Sequence, residues 1–374
     1  VGYRGFAERV FKLIVSKEKR SIGLSFLRLI ATVLSWPYSG LVALRNGLFD
    51  TGRLRSRRFD CVVLSVGNLT TGGTGKTPMV LWLAQFLSEQ GRRVVVVSRG
   101  YRGESRGPVL VASDGDGILA DSDLTGDEPQ LLARRLPQVP VVCSPRRVLG
   151  VQTALERFRA EVVILDDGFQ HRYVARDLDI VLLDARIPMG NGRILPRGPL
   201  REGISALHRA HALVLTRFDG SSLACENRRR LARDWPETVV FKTRHSPVRL
   251  FETTTGRERP LGSVAKLRTA AFAGICRPDD FFQTLVDLGA KLVYTKALPN
   301  HYPISRELLQ TMVREAGDLQ PEIWVTTEKD WVRLPDSVVE GMGIWVLTIG
   351  LDFEADESGF EMSVLKVVQR GKGG

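Results

Sequence analysis

Cysteine and histidine are scarce and scattered in this chain of 374 residues, with four of the first and five of the second. Cys61, Cys143, Cys225 and Cys276 form no CxxC pair. That spacing argues against a disulfide framework or a zinc site and suits reduced thiols in a cytosolic compartment. The histidines show no HExxH or comparable ligand spacing, which removes the familiar zinc hydrolase patterns. No short apolar stretch with a small-residue cleavage site follows a basic start, so no secretory signal is expected. A long hydrophobic run is missing too. The uncharged stretch 29–44 has 16 residues and contains Pro37, whereas a spanning helix needs about 20 apolar residues.

Acidic residues are in deficit, but only locally. Against 53 Lys and Arg stand 42 Asp and Glu, a net charge of +11. Residues 1–58 carry 12 basic and 3 acidic side chains, and the remainder carries 41 and 39. The body is therefore nearly neutral, which does not support a nucleic-acid ATPase; no nucleic-acid partner is expected. Hydrophobic residues at 43% and charged residues at 25% rule out wholesale disorder.

The basic charge flanks the apolar stretch on both sides, with Lys17, Lys19 and Arg20 before it and Arg45, Arg53, Arg55, Arg57 and Arg58 after it. That symmetry fits poorly with the one-sided charge of a single span. It predicts a kinked helix lying in a membrane interface, with Trp36 and Tyr38 at headgroup depth and Lys and Arg against anionic lipid. A helix packed on the protein's own core is the alternative.

From residue 61 onward, short β-branched runs alternate with helical spacing. Strands are expected at 61–67, 94–98, 162–167, 179–184 and 211–216, with helices at 76–90, 127–136 and 146–159. This is the alternation of a mostly parallel sheet covered on both faces, an α/β fold. The pattern loosens around 228–237, and a second α/β series follows, with strands at 269–274, 323–327 and 344–348 and helices near 279–288 and 305–316. The expected division is a membrane-associated segment 1–58, a nucleotide-binding domain 59–235 and a smaller domain 236–374.

The sharpest motif is SVGNLTTGGTGKT at 65–77. It follows an expected strand and opens an expected helix, the context a phosphate-binding loop requires. Glycines let backbone N–H groups surround phosphate oxygens, and the helix N-terminus adds a favourable dipole. Lys76 would neutralise β/γ-phosphate charge and the Thr77 hydroxyl would ligate Mg²⁺. Thr70 stands where GxxxxGK[ST] has glycine. The GGTGKT core is closer to the MinD-like variant, yet position 71 is threonine rather than that branch's leading lysine. A buried run, VVIL at 162–165, then delivers Asp166 and Asp167 to the sheet's C-terminal edge as expected Mg²⁺ ligands. Arg217, in TRFD at 216–219, replaces the lysine by which GTP-binding relatives read guanine. ATP is therefore expected, with TRFD a strand-end turn.

Together GNLTTGGTGKTP (67–78), SRGYRG (98–103), GDEP (126–129), SPRR (144–147), LDDGFQH (165–171), GNGRILPRGPLRE (190–202), PNHYP (299–303) and TTEKD (326–330) occur in this order. The set closely resembles the tetraacyldisaccharide 4′-kinase family of Gram-negative bacteria. The resemblance implies two α/β/α domains, the first of P-loop type, with the active site in the cleft between them. It implies ATP- and Mg²⁺-dependent phosphorylation of the 4′-hydroxyl of a lipid A disaccharide 1-phosphate, giving lipid IVA at the cytoplasmic face of the inner membrane. Attachment would be peripheral or monotopic, with no obligate protein partner. It further implies Asp127 as the proton acceptor and His301 as the residue that orients it. Thr71, Gly72, Gly73, Thr74, Gly75, Lys76, Thr77, Gln170 and His171 would serve the nucleotide. Asn68, Arg146, Arg147 and Arg201 would serve the substrate. Asn300 departs from an expected aspartate. The competing expectation is a MinD-like ATPase switch that attaches to membranes without phosphorylating a lipid.

Overall fold

The computed structural model describes residues 10–11, 13–15, 22–100, 103, 107–334 and 343–370. Lys17, Lys19 and Arg20 of the basic flank, and Tyr101 and Arg102 of the SRGYRG motif, lie outside the described residues.

Helix α1 (Ile22–Asp50) is unbroken and holds Pro37 inside it. At about 1.5 Å per residue it reaches roughly 43 Å, so the apolar element is longer than the 16-residue uncharged run implied. By length and hydropathy it could cross a membrane, so run length alone does not exclude a span. One face is bound to the protein: Ser35 donates to the Ile194 carbonyl, Tyr38 to that of Arg201, and Arg45 to that of Gln170. The other face leaves Phe26, Leu29, Val33, Trp36, Leu41 and Leu44 exposed.

Eight strands make the first sheet. In chain order they are β1 (Val62–Asn68), β2 (Val94–Ser98), β3 (Leu110–Ser113), β4 (Val141–Cys143), β5 (Val162–Asp166), β6 (Leu178–Asp184), β7 (Ala212–Thr216) and β8 (Val239–Lys242). Their spatial order is β3-β4-β2-β5-β1-β6-β7-β8, parallel except for the β3–β4 pair. Strands β1, β2, β5, β6 and β7 are buried throughout because helices cover both faces. Side chains alternate between the layers. Val62, Leu64 and Val66 face Met79, Leu83 and Leu87 of α2 (Lys76–Glu89), whereas Val63 joins Val95, Val97 and Val151 on the opposite side. Each such fully buried Val or Leu contributes roughly 1.5–3 kcal/mol. Two further helices, α3 (Asp127–Arg135) and α4 (Arg147–Phe158), follow β3 and β4 respectively.

The loosened stretch near 228–237 is a regular helix, α5 (Ser222–Asp234), with only Ala224 and Leu231 buried. Its nearly all-polar surface hid the periodicity.

The second sheet has six strands, ordered β10-β9-β14-β13-β11-β12: β9 (Arg244–Glu252), β10 (Glu258–Arg259), β11 (Arg268–Ala273), β12 (Lys291–Ala297), β13 (Ile323–Thr327) and β14 (Ile344–Asp352). Helices α6 (Pro278–Asp287), α7 (Arg306–Ala316) and the single turn α8 (Glu328–Trp331) connect or follow them. The expected division at 235/236 precedes β8, which pairs with β7 in the first sheet. The chain passes to the second sheet between Lys242 and Arg244, and β14 runs back antiparallel along β9 from Trp345 opposite Glu252 to Asp352 opposite Arg244. The last helix, α9 (Glu357–Arg370), then packs Phe360, Val364 and Val368 into the same cluster as Val62 and Leu64. Residues 357–370 therefore belong with the first sheet, because their apolar stripe meets Trp82 and Phe241 there.

Candidate active site

The glycine-rich loop joins β1 to α2 at the C-terminal edge of the sheet, between β5 and β6. This is where the strand connections change direction and ligands settle in such folds. Gly72 and Gly75 take φ values of 117° and 89°, which L side chains rarely adopt. At Gly75 a Cβ would also stand 2.7 Å from Nε2 of His245. Helix α2 starts without a side-chain cap, so its first N–H groups are available to an anion. The loop carbonyls are engaged elsewhere: Thr216 Oγ1 donates to Thr74 at 3.0 Å and Arg217 Nη2 to Gly73 at 2.9 Å. Arg217 is thus more than a strand-end turn. It ties the loop to Asp184 and to Asp280 on α6.

Asp166 and Asp167 stand at the end of β5 with different surroundings. Asp167 receives Arg201 Nη1 at 2.9 Å and lies 3.5 Å from Lys76 Nζ. Burial opposes its ionisation, but Lys76 and Arg201 hold the carboxyl below the usual range. Asp166 accepts from Ser98 Oγ at 2.9 Å; burial, reinforced by the charges of Glu128 and Asp167, pushes it up to about 6. A carboxyl raised on folding contributes stability that is complete below its unfolded pKa and is lost as pH rises through the folded value. Asp166→Asn is therefore expected to raise the melting temperature at about pH 7.5. The gain should vanish by about pH 4, as thermal melts across pH would show; an equal gain at both pH values would contradict this origin.

Across the cleft, the second sheet presents three side chains to the start of α3. His301, at φ 56°, places Nδ1 2.7 Å from Asp127 Oδ2. Arg333 Nε lies 3.5 Å from the same oxygen. Lys329 Nζ donates to Glu128 Oε1 at 2.8 Å, and its ammonium holds Glu128 down to about 2. Asp330, fully buried, accepts from the Gly274 N–H and from Arg333, fixing the turn that carries Lys329.

A cavity of about 800 Å³ connects these groups. Thr71, Gly72, Gly73, Thr74, Gly75, Lys76, Thr77, Asp166, Asp167, Gln170, Arg147, Arg201 and His301 line it, and Asp127 adjoins it through His301 and Glu128. Besides Asp127, three expected residues do not line it. Asn68 is buried and its carbonyl accepts from Gln170, Arg146 is exposed at the start of α4, and the His171 ring lies tilted against Tyr173. Arg147 lines the cavity, yet its guanidinium is spent on the carbonyls of Ser144 and Asp166. Arg201 is committed to Asp167. Residue-by-residue reading missed Glu128, Lys329, Arg333 and the reach of Arg217. The charged letters within GDEP and TTEKD were the available signal.

Among the described residues no three His, Cys, Asp or Glu side chains converge as a metal group. Mg²⁺ ordinarily uses one or two carboxylates together with phosphate oxygens and water, and the Asp pair beside the Thr77 hydroxyl fits that donor set. The uncapped helix start, the positive-φ glycines and Lys76 fit a triphosphate.

The family described as Tetraacyldisaccharide-1-P 4′-kinase matches residues 27–369. The tetraacyldisaccharide 4′-kinase of Anaeromyxobacter dehalogenans strain 2CP-C is 43% identical over 319 residues, covering 85% of this chain and 84% of that one. That of Syntrophus aciditrophicus is 41% identical, covering 92% and 94%. The crystal structure of LpxK from Aquifex aeolicus in complex with ATP superposes with a TM-score of 0.72 at 32% identity, covering 91% and 99%. Of the two expected activities, these findings select the lipid kinase over the ATPase switch. On the strength of that family match and those relatives, the chain belongs to the tetraacyldisaccharide 4′-kinase family.

Proposed function

We propose that the cleft between the two sheets is the active site, with Asp127 as the proton acceptor and His301 as its positioning partner. The activity is that of the family: ATP-dependent phosphorylation of tetraacyldisaccharide 1-phosphate, giving lipid IVA. The observation that carries the assignment is the 2.7 Å contact between Asp127 and His301, made across the two sheets beside the glycine-rich loop. A carboxylate there can take the 4′-hydroxyl proton on Oδ2 while the imidazole fixes its orientation. Lys76 and the first N–H groups of α2 would hold the β- and γ-phosphates. Thr77, Asp166 and Asp167 would hold Mg²⁺, with Arg201 keeping Asp167 ionised. Bound ATP with Mg²⁺ supplies the phosphoryl group and neutralises charge developing on it. The architecture follows as two α/β/α domains, the second inserted between β8 and α9 of the first.

The exposed apolar face of α1 supports attachment to an anionic inner-membrane surface at the cytoplasmic side, where an acylated substrate resides. The bound opposite face favours a helix lying along the surface. Incubation with ATP and purified disaccharide 1-phosphate in detergent tests the activity. A product about 80 Da heavier, one added PO₃H, is expected; free phosphate alone would overturn it.

A further inference from the structure

Lys329 has no part in the scheme above, yet it lines the cavity with Lys76, Asp166 and Asp167. It belongs to the single turn after β13, and its backbone is fixed. Thr327 caps the turn by accepting from the Asp330 N–H, and Asp330 is anchored to Gly274. Although it lies deep between the sheets, 33% of its side-chain surface is open to the cleft. Several other cations lining the cavity are committed: Arg45 to the Gln170 carbonyl, Arg201 to Asp167, Arg147 to two carbonyls, Arg217 to Gly73 and Asp184, and Arg277 to Asp184, while Arg99, exposed just after β2, lines it from the first sheet.

We propose that Lys329 is a second catalytic cation, brought by the second sheet to bind the γ-phosphoryl group opposite Lys76. An ammonium has three donors, and the bond to Glu128 uses one, leaving others for phosphoryl oxygens. Burial works against its charge, but the adjoining Glu128 carboxylate keeps the ammonium above its usual range. Glu128 thus acts as a tether that aims the lysine into the cleft. Negative charge in phosphoryl transfer spreads over three oxygens, and a cation on each side stabilises it better than one. Because Lys329 arrives from the other sheet, the phosphoryl site is complete only when both sheets meet.

The inference rests on the glycine-rich loop being the nucleotide site. The test uses full-length protein in detergent, measuring calorimetric affinities for MgADP and for the non-hydrolysable Mg–AMP-PNP, together with kcat and KM. Lys329→Met should keep MgADP affinity within about threefold, lose about tenfold or more in AMP-PNP affinity, and lose about 10²–10³-fold in kcat. Lys329→Arg, which keeps the charge, should recover part of both losses. Glu128→Gln breaks the same ion pair but keeps the ammonium, so it should bind AMP-PNP more tightly than Lys329→Met does. Equal losses in these two variants, or an equal loss of MgADP affinity, would mean that Lys329 only fastens the sheets, and the proposal falls. Should Lys329→Met not fold, Lys329→Arg and Glu128→Gln decide with the opposite sign: both keep a cation, so similar AMP-PNP affinities support the role, and a loss confined to Glu128→Gln would mean that the ion pair only fastens the sheets. Wild-type protein that bound no MgADP would instead overturn the nucleotide-site reading itself.

Discussion

Asp127→Asn should lower kcat by about 10²–10⁴-fold with little change in nucleotide affinity. The substitution is nearly isosteric and leaves the first turn of α3 in place. The carboxamide can still bond His301, but it cannot accept the proton of an attacking hydroxyl. Side-chain exposures of 19% for Asp127 and 18% for His301 place both groups at the cleft wall rather than in the core, so the melting temperature should change little. Steady-state kinetics beside a thermal melt separate the readings. A variant that kept more than a tenth of wild-type kcat would remove Asp127 from the proton-transfer role. A variant that lost activity only in proportion to lost stability would mark a structural one.

Lys76→Met removes the first-sheet cation at the start of α2. Its expected cost is about 10²–10³-fold in kcat/KM, the scale of deleting one preorganised charge donor. Unlike Asp127→Asn, it should also weaken MgATP binding, because in the proposed site Lys76 would face the phosphates in the ground state as well. Asp167 loses a neighbour at 3.5 Å but keeps Arg201 at 2.9 Å, so the fold should survive. Calorimetric titration with MgATP checks this: unchanged affinity would mean that the loop holds the phosphates without Lys76.

Elements that make their own local pattern were legible from the amino acids. VVVVS at 94–98 and IWVTT at 323–327 coincide with β2 and β13 to the residue, because strands buried on both faces are continuously apolar. Loop 65–77 announces itself through glycines whose backbone angles other residues resist. What long-range pairing decides was hidden. Strand β9, RHSPVRLFE, is mostly half-exposed and contains a proline; its pairing with β14 and β10, not its local pattern, makes it a strand. Helix α9 shows an apolar stripe, but nothing local says that its partner is a core laid down some 290 positions earlier. In the site, the Asp pair was legible, whereas the destination of each arginine was not. Arg147 and Arg201 have the composition of phosphate ligands, yet a backbone carbonyl pair and Asp167 claim them. A guanidinium serves either partner equally well, so only three-dimensional placement distinguishes them.

The late return of α9 bears on how the molecule is made. During synthesis domains generally fold as units, starting from the N-terminus. Here the phosphate loop leaves the ribosome early, but the face of α2 behind it stays uncovered until Phe353 and Phe360 arrive to close over Trp82. By then the whole second sheet has emerged. The half built on the first sheet therefore starts to appear before the second and is finished after it. A nascent chain cannot complete that half's hydrophobic core before it also holds Asp330, His301 and Lys329, so its maturation is timed to the presence of the sheet that faces it across the cleft.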